Sequence, residues 1–237
     1  MRRKTEAKTV FCVLVSLTIF GLLCIISVRD DLYQLVMKTR GGYAYDIIID
    51  AGHGGADGGA VSSNGVAEAD INLSISRKAQ LIANFLGIKA EMTRNDRDSL
   101  DYEPSDTIRQ NKMNDLKARV RIADENRNAE FISIHLNKFS DPRYFGAQVF
   151  HKNEDESILL AQTIQGELYK INENNTRSYK LIPNENYVFD RIENTGVIIE
   201  CGFLSNADEE LMLQNDAYQT KLAALIIGGY TNYKYNR

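Results

Sequence analysis

Apolar residues in this chain fall into short blocks that alternate with stretches of helical spacing. Ile47-Ile48-Ile49 is a β-branched triplet between Asp46 and Asp50, a pattern that predicts a buried strand. It breaks at Gly52 into a glycine-rich run around His53. Ile88–Thr93, Phe131–Leu136 and Gly146–His151 predict further strands, with a short edge strand at Tyr187–Phe189. Val197-Ile198-Ile199 predicts another, leading into Glu200, Cys201 and Gly202. Between the first two strands, Ile71, Ile75, Ala79, Ile82 and Leu86 are spaced four, four, three and four apart. That spacing predicts an amphipathic helix over Glu68–Leu86, its stripe widened by Leu81 and Phe85 and its end set by Gly87. Leu116, Val120 and Ala123 mark a second helix, Ile158–Ile171 a third, and Glu209–Leu213 and Tyr218–Tyr230 the last two. Asn95–Asp115 is polar throughout and reads as a long loop. Strands alternating with helices predict an α/β domain whose mostly parallel, mixed sheet is flanked by helices on both faces.

The first residues follow another pattern. Val10–Val28 is 19 residues without a charge, preceded by Arg2, Arg3, Lys4 and Lys8. Such a segment is long enough to cross a bilayer with its basic flank in the cytoplasm. No A-x-A-like site closes it, which favours an uncleaved signal anchor over a signal peptide. The expected organisation is a basic stub and anchor over residues 1–29, a connector over 30–44, and one exported domain over 45–237. Without residues 1–29 the chain holds 23 basic and 31 acidic residues, a net charge of −8, which argues against nucleic acid as a partner. Of the three cysteines only Cys201 lies beyond the apolar segment, so the exported part has no internal disulfide.

Three metal-competent residues occupy comparable places: His53 after the first strand, His135 at the end of the third, and Glu200 at the end of a late one. Glu68 opens the helix that follows the glycine run, where capping and the helix dipole explain a carboxylate equally well. Parallel strands bring their carboxyl ends to one sheet edge, so these side chains can converge. Two imidazoles and one carboxylate are a ligand set for catalytic zinc, with the remaining glutamate free to act as a base. Spacing alone leaves open which glutamate does which.

The segments DAGHGGADGGAV, EADINLSIS, FISIHLN and VIIECGFLSN, in that order, resemble the signature blocks of the type 3 family of zinc-dependent N-acetylmuramoyl-L-alanine amidases. The resemblance runs from about Tyr45 to the C-terminus. It implies Zn2+ as cofactor, with His53, Glu68 and His135 as its ligands and Glu200 as the catalytic glutamate. The implied substrate is peptidoglycan, cut at the amide between N-acetylmuramic acid and the L-alanine of the stem peptide, outside the cytoplasm. The membrane segment, the lack of a wall-binding repeat and the ending IECGFLSN are most similar to the family's sporulation amidases. Those enzymes trim stem peptides so that muramic δ-lactam can form in spore cortex. The chain departs from the family pattern at Ala51 and Thr195, where proline is frequent, and at Asp124, where asparagine is. Autoinhibitory insertions of some relatives have no counterpart between His135 and Glu200, which implies a cleft that is either open or dependent on an accessory protein outside the chain.

Other residues have competing readings. Asp50 and Asp57 can orient a ligand histidine or simply terminate a strand and form a turn. Arg94, Arg119 and Arg191 can recognise stem carboxylates, with structural pairing as the plainer role. Cys201, adjacent to Glu200 in a strand, should point to the opposite face as a buried thiol, and His151 should be exposed. The rival functions are a zinc peptidase cutting within the stem and a membrane-anchored peptidoglycan-binding scaffold with an inactive site.

Overall fold

The β-branched triplet lies inside a six-stranded sheet in the computed structural model, which describes residues 45–183 and 185–236. The membrane segment expected over Val10–Val28 and the connector after it lie outside the described residues. No helix among the described residues is long and apolar enough to cross a membrane.

β1 (Ile47–Ala51) is buried at every position and lies between β2 (Ala90–Met92) and β3 (Glu130–Asn137), both parallel to it. β6 (Gly196–Phe203) extends the parallel set beside β3. β4 (Gln148–His151) runs antiparallel to β6 and parallel to the edge strand β5 (Lys180–Leu181). The spatial order is β2-β1-β3-β6-β4-β5, a mixed and mostly parallel sheet. Five α-helices are described: α1 (Glu68–Phe85), α2 (Ile108–Glu125), α3 (Asp155–Leu168), α4 (Ala207–Leu213) and α5 (Asp216–Tyr235).

Alternation along the strands sorts the core into two unequal clusters. Ile47, Ile49, Ile132, Ile134, Val197 and Ile199 face α1, α3 and α5 in a large apolar layer. On the other face Ile48 and Phe131 meet Ala123 of α2 and a turn carrying Val188, Phe189 and Ile192. One helix and one turn do not cover that face completely. Beside them, the sheet can carry polar side chains that reach solvent.

The structure departs from the sequence expectations at four places. Leu81 and Phe85 are 71% and 88% exposed, so they do not widen the packed stripe of α1. Six residues beyond Ile75, Leu81 is turned about 240° away from it at roughly 100° per residue. The polar stretch Asn95–Asp115 is not all loop, because α2 begins at Ile108 behind a capping box formed by Thr107 and Gln110. Its buried row at four-residue spacing is Asn111, Asp115, Arg119 and Ala123, which is too polar to register as an amphipathic pattern. Tyr187–Phe189 is a turn, not a strand: the Asn186 side chain accepts from Val188 N and Phe189 N, a local bond that competes with a ladder. His151 is buried, with Nδ1 2.8 Å from the Lys152 carbonyl oxygen.

Two buried arginines fasten the end of β1. Arg119 donates through Nε to Asp115 (2.8 Å), through Nη1 to Asp50 and to Ala51 O (2.9 Å), and through Nη2 to His53 O (2.8 Å) and Asp115 Oδ1 (3.3 Å). All five of its N–H groups are used. Arg94 donates to Ala51 O (2.9 Å), Gly52 O (3.1 Å), Asp96 O (2.7 Å) and Ala69 O of α1 (2.8 Å). Burial opposes charge on Asp50, yet Arg119, Ser133 and Thr93 outweigh it and hold its carboxyl below the usual range. Removing one partner of such a buried pair costs about 3–5 kcal/mol. Arg119→Ala is therefore expected to lower the melting temperature by roughly 10 °C for a domain of this size. A change under about 2 °C in thermal denaturation would show that the pair does not hold the strand end.

Candidate metal centre

His53 sits two residues beyond β1 with φ of +60°, a conformation that costs a non-glycine residue on the order of 1–3 kcal/mol. Its surroundings enforce it. Arg119 takes the His53 carbonyl, and paired bonds between Gly54 and Asp57 (2.9 and 3.1 Å) close the loop around it. Asp57 Oδ2 lies 3.1 Å from His53 Nδ1 and 3.0 Å from Lys112 Nζ. The ring is thereby turned so that Nε2 faces Glu68 Oε1 at 3.4 Å.

Glu68 is the first residue of α1, and its carboxylate does not cap its own helix. Oε2 accepts from Ala60 N (2.8 Å), and Oε1 accepts from Leu136 N (3.0 Å) and Asn72 Nδ2 (3.2 Å). His135 Nδ1 lies 2.9 Å from the same Oε1. The two imidazoles stand edge to face with centroids 5.0 Å apart. One ligand atom from each of His53, Glu68 and His135 lies within 4.8 Å of the others. Two glycines make that approach possible. A Cβ on Gly52 would come 2.3 Å from the His135 ring, and one on Gly59 would come 2.6 Å from Glu68 Oε2. The donor set, two imidazoles and a carboxylate converging from a loop, a helix and a strand, fits a divalent cation that accepts nitrogen and oxygen.

The electrostatics agree with that fit. Burial opposes a charge on His53, but Asp57 and Glu68 outweigh it and raise its pKa to about 9. Burial likewise opposes ionisation of Glu68, and the two histidines overcome it, holding its carboxyl far below the ordinary range. A full carboxylate thus faces two imidazoles, the arrangement a cation would displace protons to enter. Glu200 lies beside His135 in register on β6. Burial and the neighbouring Glu68 raise its pKa to about 7, and its Oε2 is out of solvent with no hydrogen-bond partner among the described residues. A cleft of about 110 Å³ opens over His53 and His135, between Lys112 and Leu116 of α2 and the turn at Asn186 and Val188.

The remaining candidates separate cleanly. Asp57 touches a ring nitrogen of His53, whereas Asp50 pairs with Arg119 below the site. Arg94 and Arg119 are spent on backbone carbonyls and carboxylates, and Arg191 lies over the Tyr187 ring, 3.8 Å from its centroid. Asp124 makes a surface pair with Arg127 at 3.4 Å. Cys201 is fully buried on the opposite face from Glu200, and burial pushes its thiol far up. Asn72 and Lys112 join the site without having been singled out from sequence. Asn72 stands four residues after Glu68 on the same helix row, a polar residue on a buried face, and that spacing was the available signal.

The N-acetylmuramoyl-L-alanine amidase family, Amidase_3, matches residues 47–232. The germination-specific N-acetylmuramoyl-L-alanine amidase of Bacillus subtilis is 35% identical over 188 residues, covering 79% of this chain and 78% of that protein. The structure is similar to the CwlD amidase of Clostridioides difficile, solved in complex with the GerS lipoprotein. The TM-score is 0.76 at 38% identity, over 81% of this chain and 98% of the other. The catalytic domain of CwlV from Bacillus (Paenibacillus) polymyxa var. colistinus gives a TM-score of 0.68 at 26% identity, over 81% of this chain and 98% of that one. With the family match spanning nearly the whole described domain, the chain belongs to the N-acetylmuramoyl-L-alanine amidases and is an amide hydrolase of peptidoglycan.

Proposed function

We propose that His53, Glu68 and His135 hold one zinc ion and that Glu200 is the catalytic base for hydrolysis of the amide between the muramic lactyl group and L-alanine. The observation that carries this reading is the convergence of three donor atoms within 4.8 Å beside a half-buried carboxylate whose Oε2 has no hydrogen-bond partner among the described residues. Zinc bound there supplies Lewis acidity, which acidifies water and polarises the scissile carbonyl. Glu200 takes the proton from the attacking water and gives it to the departing amine of L-alanine. Without metal, burial holds the Glu200 pKa up at about 7, and a cation bound beside it would favour the carboxylate form that accepts the proton. Asp57 fixes the His53 ring through Nδ1 and leaves Nε2 turned toward Glu68.

The likeness to a germination-specific amidase and to CwlD supports a finer assignment: trimming of stem peptides in spore cortex, as a step towards muramic δ-lactam. We assign the catalytic unit to residues 45–237, carried on the outer side of the membrane by the apolar segment at 10–28. The CwlD structure with GerS also supports a lipoprotein as accessory partner of this chain.

Glu200→Gln is expected to keep one zinc per chain and lose 10²–10⁴-fold in turnover, the usual contribution of a positioned acid-base group. Wild-type turnover by the zinc-loaded variant would remove Glu200 from the mechanism. Zinc affinity should also depend on pH with a defined sign. His53 carries a proton below about 9 when no metal is bound, and that proton must leave for the ring to ligate. Affinity measured against a competing chelator should rise by about tenfold per unit from pH 6 to pH 8, while Asp57→Ala weakens it by about 10–100-fold. Affinity constant over that range would contradict the ligand role of His53. Spores lacking this chain should have cortex without muramic δ-lactam, and a normal lactam content would confine the enzyme to another wall.

A further inference from the structure

Beyond Glu200 the same row of the sheet continues into a second pocket. Gln148 of β4 is the register partner of Glu200, so its side chain rises from the same face one strand further on. Its Oε1 accepts from Arg177 Nη1 at 3.0 Å, and its Nε2 donates to Ser178 O at 2.7 Å. Around them lies a cavity of about 360 Å³ whose charged lining is Arg143, Arg177 and Lys180, with no carboxylate. In a domain of net charge −8 such a lining runs against the surface average.

Arg177 is the built element of this pocket. Its guanidinium lies over the Phe203 ring at 4.4 Å and the Tyr144 ring at 5.6 Å, and its Nε donates to Phe145 O at 2.6 Å. Nη2 has no hydrogen-bond partner among the described residues, and neither Arg177 nor Lys180 forms an ion pair there. Arg143, by contrast, is matched by Asp141 at 2.6 Å. Burial pulls the Arg177 pKa down, and the neighbouring Glu209 carboxylate, which forms no ion pair with it, offsets this only in part. An arginine stacked on aromatic faces, oriented by two acceptors and left with one free edge, is arranged to receive a planar anion through that edge.

We propose that this pocket binds a free carboxylate of the stem peptide while the adjacent amide is cut at Glu200; the assignment rests on the amidase reading above. Neighbouring strands are about 5 Å apart, and with the length of Gln148 the guanidinium lies on the order of 10 Å from Glu200. Extended peptide advances about 3.3–3.6 Å per residue, so a carboxylate two or three residues beyond the scissile amide reaches Arg177. The acidic stem peptide supplies such a group, and the neutral glycan does not. Arg177 is thus a specificity-determining residue that reads the peptide side of the substrate.

The test uses the zinc-loaded full chain in detergent micelles and two soluble muramoyl-L-alanyl-D-glutamyl analogues whose scissile amide is replaced by an uncleavable isostere, one with free carboxylates and one with both amidated. Calorimetric binding of the free acid should be at least about tenfold tighter, the scale of one charge-assisted hydrogen bond. Arg177→Gln should abolish that preference while leaving affinity for the amide unchanged, and Arg177→Lys should restore part of it. Lys180→Gln, on an exposed edge strand, should weaken the free acid alone by a smaller factor. A wild type without the preference overturns the assignment, as does a preference that survives Arg177→Gln or equal weakening of both ligands by the Lys180 variant. Binding is read without turnover. A chain that shows the preference but releases no stem peptide from the cleavable parent compound would fault the amidase reading and leave the pocket standing.

Discussion

A guanidinium buried against a carboxylate holds the rest of this site in place. Arg119 pairs with Asp50 inside the domain and uses its other N–H groups on Asp115 and on the carbonyls of Ala51 and His53. Those carbonyls belong to the point where β1 stops, and a strand that ends there would otherwise leave acceptors buried without donors. Arg94 completes the work on Gly52 and ties the same turn to α1 through Ala69. The pair thereby converts the end of a strand into a rigid mount for His53 in a left-handed conformation. Glu68 arrives on the helix that the mount also grips.

The unequal covering of the sheet explains why chemistry belongs on this face. Three helices seal the other side with aliphatic side chains, and that layer supplies the cohesion. On the site face α2 sends inward a polar row, Asn111, Asp115 and Arg119, so its packing is electrostatic where a core helix would be apolar. His135, Glu200 and Gln148 then stand side by side on β3, β6 and β4. One row of the sheet carries the proposed metal ligand, the proposed base and the floor of a basic pocket. Antiparallel β4 sets Gln148 opposite Glu200, and Arg177 is held to that side chain.

Much of this was legible in the sequence because strand periodicity and glycine placement are local. The triplet before Gly52, the run before His135 and the run before Glu200 all form neighbouring parallel strands, and alternation put Cys201 on the face opposite Glu200. What escaped the sequence is interaction between distant polar groups. The first half of α2 looked like loop because its buried row is hydrophilic, and its meaning depends on Asp50, 69 residues before Arg119. Tyr187–Phe189 has strand composition, but the preceding Asn186 satisfies its backbone locally. Spacing alone did not separate Glu68 from a helix-terminal acid; the family resemblance did, and Ala60 N and Leu136 N hold its carboxylate inward.

The central claim is that this mount delivers three protein ligands to one metal ion. It is tested most directly by an anomalous difference map at the zinc absorption edge from crystals of the purified protein. The account predicts a single strong peak at bonding distance from His53, Glu68 and His135. A peak bonded to Glu200 in place of Glu68, or at a different cluster altogether, would contradict it.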